Sequence, residues 1–219
     1  DQGDALAQFN LGMMYAEGIG VRKSNKKAIK WFRLAAEKGY APAQFSLGLV
    51  YELGVGKQQD SGKAAEWYRL AAEQGLADAE HALGSFYYSG KGVQQDYVQA
   101  EKWLRLAAEK GYVLAVHDMG LLYELGHGVS QDLSKALKWY RKAADQGLAD
   151  SQYMMGHACS LGWGQPENDT DAAMWFRLAA EQGYADAQLR LGLMYSFGEG
   201  VEKDFAEAYA WMNLAAMIG

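Results

Sequence analysis

Ser24 and Lys27 are the first residues whose types and spacing could do chemistry. They form an S-x-x-K pair, which in penicillin-interacting enzymes includes the nucleophilic serine. The companion motifs S-D-N and K-T-G are absent from the sequence. Asp60 and Lys63 occupy the same pattern further along the chain, and an aspartate there would cap a helix rather than attack a substrate. We therefore interpret Ser24 as an N-cap, and we expect no catalytic residues.

The histidines at positions 81, 117 and 157 are a second candidate group, because imidazole is a common metal ligand. His81 and His117 share one position of an internal repeat, and neighbouring helices pack about 10 Å apart. Zinc needs ligands at about 2 Å, and no His/Cys spacing typical of a zinc site is present. We interpret the histidines as polar residues of a binding face, and we expect no metal and no cofactor.

Cys159 is the only cysteine, so it cannot form an internal disulfide. Its position in the repeat favours a small core residue over a reactive thiol. The G-x-G stretches at residues 18–20 and 54–56 lack the third glycine and the preceding strand of a phosphate-binding loop. We interpret these stretches as turns.

These candidates are distributed over a strict internal repeat of 36 residues. Shifting the sequence by this length aligns Leu83-Gly84 with equivalent pairs and Trp103 with five other tryptophans. Six units follow without gaps, at residues 4–39, 40–75, 76–111, 112–147, 148–183 and 184–219. A period of this length predicts stacked supersecondary units, which we assign to one structural domain over residues 1–219.

Each unit has the pattern of two helices joined by a glycine loop. Ala79, Leu83 and Tyr87 form an apolar stripe at helical spacing, which predicts a first helix, helix A. Gly90 is placed to end it, and Asp96 is placed to cap a second helix, helix B. A glycine inside helix A costs about 1 kcal/mol relative to alanine. We therefore expect helix B to approach this glycine closely through its own alanine column, which includes Ala100.

The motifs LG-x-x-Y, G-x-G-V, D-x-x-x-A-x-x-W and A-A-x-x-G, at these offsets, resemble the Sel-one-like repeat (SLR) family. This family is a relative of the tetratricopeptide repeat. The resemblance implies an all-α protein, a right-handed α/α superhelical solenoid whose A helices line the concave side. It also implies an adaptor or scaffold role, and it favours a bacterial protein in the periplasm or outside the cell.

The two ends of the sequence favour a fragment of a longer repeat protein. Residues 1–3 match residues 145–147, which end a helix B. Near the other end, Met217-Ile218 replaces a charged pair such as Glu37-Lys38. Apolar residues at that position predict that a further helix packs on this end.

The charge of the chain excludes some partners. A net charge of −6 and a pI near 5.3 argue against nucleic acid, which needs a basic stripe. A column of arginines, which includes Arg69 and Arg105, has acidic residues four positions on and predicts a self-neutralised solvent face. No apolar run is long enough to span a bilayer, so we expect no direct membrane insertion.

The resemblance also implies which residues face a partner. Aligned by the Leu-Gly-x-x-Tyr motif, five positions of each helix A fall on the concave side. The candidates for partner contact are Phe9, Met13, Phe45, Leu49, Glu52, His81, Ser85, Tyr88, His117, Leu121, Glu124, Tyr153, His157, Leu189 and Leu193. The last position of each helix A belongs to the same set and includes Leu53, Leu125, Leu161 and Phe197.

Trp163 lies in a loop outside the scaffold columns. It is either a cover over a gap left by Cys159 and Gln165 or an anchor for a partner.

The surface predicted in this way is apolar and aromatic with acidic edges. The five concave positions of each helix A hold no Lys or Arg. We predict a non-enzymatic scaffold that binds a protein or peptide with apolar anchors and positive charge. Two alternatives stay open. One is a weak penicillin-interacting hydrolase, and the other is a glycan-binding solenoid that uses Tyr88, Tyr153 and Trp163 as stacking platforms.

The interpretation of Ser24 can be tested by Ser24→Ala. Loss of a cap is expected to lower the free energy of unfolding by about 1 kcal/mol. The reaction of the protein with a labelled penicillin should not change. Denaturant unfolding and intact mass spectrometry measure the two effects. A covalent adduct that requires Ser24 would contradict the interpretation.

Overall fold

The computed structural model describes residues 3–56 and 58–217, and every regular element in them is an α-helix. The helices are α1 Ala5–Glu17, α2 Asn25–Glu37, α3 Ala41–Leu53, α4 Ser61–Ala72, α5 Ala77–Ser89, α6 Tyr97–Glu109, α7 Val113–Leu125, α8 Leu133–Ala144, α9 Ala149–Leu161, α10 Asp169–Glu181, α11 Ala185–Phe197 and α12 Phe205–Ala216. Odd-numbered helices correspond to helix A and even-numbered helices to helix B. The all-α prediction is confirmed. None of the helices in the described segments has the length and hydropathy needed to cross a bilayer.

The chain falls into two compact units, and each is described by itself. The first covers Asp1–Tyr112 and contains α1–α6, while the second covers Val113–Gly219 and contains α7–α12. The assignment of residues 1–219 to one structural domain stays a prediction. Residues 1, 2 and 218, on which the expectation of a fragment partly rests, lie outside the described residues. Met217 is 82% exposed.

The helix ends follow the predicted punctuation. The Asp96 carboxylate accepts hydrogen bonds from the backbone N–H groups of Val98 and Gln99 at 2.9 and 3.0 Å. These bonds satisfy donors that the first helical turn leaves unpaired. Gly90 ends α5 in the left-handed region, at φ 72°, where a side chain would be strained. Both assignments agree with the sequence pattern.

The glycine inside each helix A makes a close contact with helix B, as predicted, but the nearest residue is a large one. A Cβ added to Gly84 would lie 2.7 Å from Cγ of Leu104, the residue after the tryptophan. The equivalent residues in the other hairpins are Phe32, Tyr68, Tyr140, Phe176 and Met212. The predicted alanine column also comes close in the first and last hairpins, where the carbonyl oxygens of Ala28 and Ala208 lie 3.4 and 3.0 Å from a Cβ added to the glycine. A large side chain fills the space that glycine leaves, and the alanines pack around it.

The second glycine of the loop between helix A and helix B has a separate role. Gly92, after α5, lies against the backbone of Ser61 and Gly62 at the start of α4 in the preceding hairpin. Gly200 has the same relation to Asp169 at the start of α10. A side chain at either glycine would collide with backbone, so each loop can cover the preceding hairpin only because the residue is glycine.

A polar contact between the helices is buried within each unit. In the second unit, Gln182 donates to the Gln152 side chain at 2.7 Å. In the first unit Gln74 donates to Gln44 in the same way at 2.7 Å. The next repeat has at these positions Glu80, which is 2% exposed, and Lys110, whose Nζ lies 2.6 Å from Glu80 Oε1. Lys110 also donates to the Gly75 carbonyl at 2.8 Å. In that repeat an ion pair thus replaces the glutamine pair and gives Oε1 of the buried carboxylate a hydrogen bond.

The close contact at Gly84 can be tested by Gly84→Ala. The added methyl group collides with Leu104, so we expect the free energy of unfolding to fall by about 1–3 kcal/mol despite the better helix propensity of alanine. Urea unfolding followed by circular dichroism measures the loss. Gly62→Ala is the matched control, because a Cβ there meets its nearest atom at 3.5 Å and should leave stability unchanged or slightly higher.

The cause of the loss can be tested separately. In a double-mutant cycle with Leu104→Ala, the two changes should cost clearly less together than the sum of their separate costs. Additive costs would mean that the glycine is needed for some other reason.

Candidate interaction surface

The A helices present the candidate partner-contacting residues, and in the first unit Glu52 is already engaged by the protein itself. Its carboxylate accepts hydrogen bonds from the Tyr68 hydroxyl and from Lys91 Nζ, the latter at 2.8 Å. Lys91 also lies 5.2 Å from the centre of the Phe86 ring. Burial, and then the bond to Glu52, raises the pKa of Tyr68. Glu52 therefore joins two hairpins, and Lys91 adds a cation that the A-helix sequence does not show.

The aromatic candidates of the first unit also pack against the scaffold. Phe9 contacts Phe32 and Tyr40, with ring centres 5.7 and 5.3 Å apart. Phe45 lies 5.5 Å from Tyr68, and Met13 packs on the core beneath α1. These half-buried side chains therefore contribute to packing within and between the hairpins.

His81 and Tyr88 have aromatic neighbours as well. The His81 ring lies 4.9 Å from that of Tyr112, and the Tyr88 ring lies 5.4 Å from that of Tyr97. Leu49 is more open, with 36% of its surface exposed, and Leu53 at the end of α3 is 68% exposed. The open part of this face is therefore largely aliphatic.

The second unit uses its candidates in a similar way. His117 Nδ1 lies 2.8 Å from the Ser151 hydroxyl, and its ring packs on Tyr140 at 5.2 Å. The Tyr140 hydroxyl donates to Glu124 at 2.6 Å. These bonds give both candidates a structural role. The Glu124 carboxylate thus has part of its hydrogen-bonding capacity taken up by Tyr140.

Tyr153 is the most engaged aromatic candidate. Its ring lies 4.6 Å from His157, 4.9 Å from Tyr184 and 5.7 Å from Phe176. A residue packed in this way contributes to stability, so replacing it by alanine would lower the melting temperature. Tyr153 is therefore a poor test of binding alone.

A cleft of about 200 Å³ lies between α9 and α11 in the second unit. It brings together two predicted residues, His157 and Leu193, with Leu161 and Phe197 from the last helix A position. The cleft also contains Ser160, which occupies one of the five predicted helix A positions, and four residues outside the predicted set, Phe176, Arg190, Met194 and Glu199. The alignment of helix A positions could not find these four, because they come from a helix B, a loop and other positions of α11.

His157 in this cleft has an altered protonation equilibrium. Burial lowers the pKa of its imidazole, the nearby Arg190 lowers it further, and Asp186 opposes the shift. The ring is consequently neutral near pH 7, able to donate from one nitrogen and accept at the other. No group of three or more His, Cys, Asp or Glu side chains in the described part of the chain could hold a metal ion.

Trp163 is half-buried and packs against the core of the second unit. Beside it, Gln165 Nε2 donates to Cys159 Sγ at 3.0 Å. These are the contacts expected of a cover over a gap left by Cys159 and Gln165, and that interpretation stays a prediction. The role of Trp163 as a partner anchor stays untested.

Two arginines of the column contact the next hairpin, and a third pairs with an acidic residue of its own helix. Arg69 donates to the Tyr87 hydroxyl at 2.9 Å, and Arg177 donates to Tyr195. Arg105 pairs with Glu101, which precedes it by one turn. Cys159 stands where a tyrosine would meet Arg141, and the Arg141 guanidinium instead lies 5.5 Å from the centre of the Trp175 ring.

Ser24 occupies the N-cap of α2, and its hydroxyl accepts from the Lys27 N–H at 3.4 Å. The hydroxyl is thus oriented towards the first helical turn, as the interpretation of a cap requires.

Cys159 allows a test of burial at this site. It is 1% exposed, and burial raises the pKa of its thiol. Because only the thiolate reacts, we expect a disulfide-exchange reagent at pH 8 to modify the native protein at least about 100-fold more slowly than the unfolded protein. Absorbance of the released thiol measures both rates. Equal rates would show that the thiol is accessible and that the Trp163 loop does not cover it.

Comparison with solved structures gives two close matches over the whole chain. The first is c5321, a protective antigen of uropathogenic Escherichia coli strains with an SLR fold, at 41% identity and a TM-score of 0.96. The second is a Sel1 repeat protein from Oxalobacter formigenes, at 41% identity and a TM-score of 0.91. Both comparisons cover 100% of this chain, but 47% and 63% of those proteins, so the chain spans less than two thirds of their length.

A more distant solved structure and one relative found by sequence are also described as Sel1 repeat proteins. A putative Sel1 repeat protein from Klebsiella pneumoniae matches 87% of this chain and 93% of its own, at 25% identity and a TM-score of 0.55. The putative Sel1-like repeat-containing protein L18 of Acanthamoeba polyphaga mimivirus is 50% identical over 36 residues, which are 16% of this chain and 6% of that protein.

The pattern of the Sel1 repeat itself matches six consecutive segments, residues 5–40, 41–76, 77–112, 113–148, 149–184 and 185–219. These segments differ by one residue from the units read off the sequence. Proteins built from this repeat generally act as protein-interaction scaffolds and are typically non-enzymatic. With six repeats over nearly its whole length and an all-α solenoid fold, the chain belongs to the Sel1 repeat family.

Proposed function

We propose that this chain is a non-enzymatic scaffold that holds a protein or peptide segment on the faces of its A helices. The observation that carries the proposal is the distribution of charge. Of the 21 Lys and Arg residues in the chain, Arg190 is the only one in an A helix. Apart from Lys57, which lies outside the described residues, the others are in the B helices α2 to α10 and in the segments between helices. The two helices of each of the first five hairpins thus differ in charge in a way that packing alone does not require.

The A helices also leave large apolar side chains open to solvent. In the first unit, Leu49 and Leu53 of α3 are 36% and 68% exposed. In the second unit, Leu125, Leu161 and Phe197 end their helices with exposures of 45%, 57% and 68%. Exposed apolar side chains of this size are suited to anchor an apolar partner residue, and such anchors dominate interface affinity.

Acidic residues near the helix starts suggest the charge of the partner. Asp150 and Asp186 are exposed in the first turns of α9 and α11, and Asp78 is half-exposed in α5. Glu52 and Glu124 contribute less, since each already accepts a hydrogen bond from a tyrosine. A segment with apolar anchors and flanking positive charge would complement most of this face.

The proposal can be tested with peptides selected from a random displayed library against the immobilised protein. Leu49→Ser removes an apolar anchor from α3 and should weaken a selected peptide at least about tenfold. Leu70→Ser, in helix B of the same hairpin, is the matched control, because Leu70 is 45% exposed and lies outside the proposed surface. It should leave affinity unchanged.

Fluorescence polarisation measures the affinities, and thermal melting should show both variants folded. If peptides bind but only Leu70→Ser weakens them, the partner contacts the B helices. If every selected peptide binds the parent and both variants with equal affinity, the A-helix face is not the binding surface.

A further inference from the structure

The cleft between α9 and α11 is lined by Arg190, a cation that belongs to an A helix itself. Arg190, in α11, is exposed and lines the cleft. Within the described segments, no hydrogen bond or ion pair engages its guanidinium. A guanidinium presents several N–H donors in a fixed plane and is suited to bind a carboxylate.

The remainder of the cleft is suited to a large apolar side chain. Phe176 and Met194 are 2% and 6% exposed and form its buried part. Leu161 and Phe197 stand at its open edge with exposures of 57% and 68%. Burying an apolar side chain among them would remove exposed apolar area from water on both partners.

From these features we infer that the cleft binds a peptide segment in which an acidic side chain lies next to a bulky apolar one. The acidic group pairs with Arg190, and the apolar group packs against Leu161, Leu193 and Phe197. This inference rests on the proposed function and names one element of the partner.

The acidic residues near the cleft do not cancel this preference. Glu199 follows the end of α11, whereas Arg190 lies seven residues before that end, about 10 Å along the helix axis. The two residues are therefore well separated along the axis of α11. Asp186 lies one turn before Arg190 and competes for it, so its removal should strengthen the binding of an anion.

His157 gives the site a dependence on pH. Its ring faces Tyr153 and Phe176, and Arg190 and Asp186 are the charged groups that act on it. Without a ligand, burial and Arg190 keep the pKa of His157 low. A carboxylate bound beside Arg190 would favour the imidazolium and raise that pKa. Protonation and binding then support each other, so affinity should rise as pH falls from 7.5 to 5.5.

Three probe peptides test the inference. Each is acetylated and amidated, has a central phenylalanine flanked by glycine and serine, and carries glutamate, glutamine or lysine next to that phenylalanine. NMR titration of the full chain at low salt should shift the resonances of Leu193 and Phe197. The glutamate probe should bind about tenfold more tightly than the lysine probe, with glutamine between them.

Variants of four residues in or beside the cleft assign the effect. Arg190→Gln should remove the difference between the glutamate and glutamine probes. Asp186→Asn and Glu199→Gln should leave binding of the glutamate probe unchanged or stronger. His157→Gln should abolish the rise in affinity at low pH. Melting temperatures show that the Arg190, Asp186 and Glu199 variants remain folded.

Two results would overturn the inference. One is a lysine probe that binds as well as the glutamate probe, and the other is a glutamate probe that does not shift the cleft resonances. Either could occur while library peptides still depend on Leu49, in which case the scaffold function stands and only the cleft assignment fails. If Leu49→Ser also left the affinity of the library peptides unchanged, the proposed function would be wrong as well.

Discussion

The close contact between the glycine of each helix A and the large side chain facing it from helix B is the constraint on which the rest depends. A helical glycine costs about 1 kcal/mol relative to alanine, but burying a side chain such as Leu104 or Tyr68 contributes about 1.5–3 kcal/mol. The contact sets the distance between the two helices. At that distance only small residues fit between the helices beside the large side chain, which explains the buried alanine columns of helix B.

Hairpins are joined by contacts that cross from one repeat to the next. The glycine loop after one helix A covers the start of the preceding helix B, and the arginines donate to tyrosines of the following hairpin. Where Cys159 replaces the tyrosine, Arg141 stacks on Trp175 instead. The same geometry carries loop residues over the neighbouring hairpin, which is how Lys91 reaches Glu52 from another repeat. Scaffold geometry therefore also decides which charges remain available to a partner.

The A-helix face combines packing and recognition in neighbouring positions. Rings such as Phe9, His81 and Tyr153 are fixed by aromatic neighbours, so they form a rigid base. Aliphatic and aromatic residues at the helix ends are the more exposed part. A rigid base lowers the entropy lost on binding, because few side chains must be ordered. Arg190 changes the sign of the charge at one place on an otherwise acidic face, which could give a partner its orientation.

The amino-acid sequence by itself determined the repeat period, the helices, their caps and the family. These features depend on residues close together in the chain, such as Asp96 with the N–H groups of the next turn, so local pattern is enough to find them. Only the tertiary structure decided that Leu104, rather than Ala100, faces Gly84, that Glu52 is bonded to Tyr68 and Lys91, and that Arg190 joins His157 in one cleft. The physical reason is that such contacts depend on side-chain length and on the approach of separate helices, which the spacing of residues along one helix does not contain.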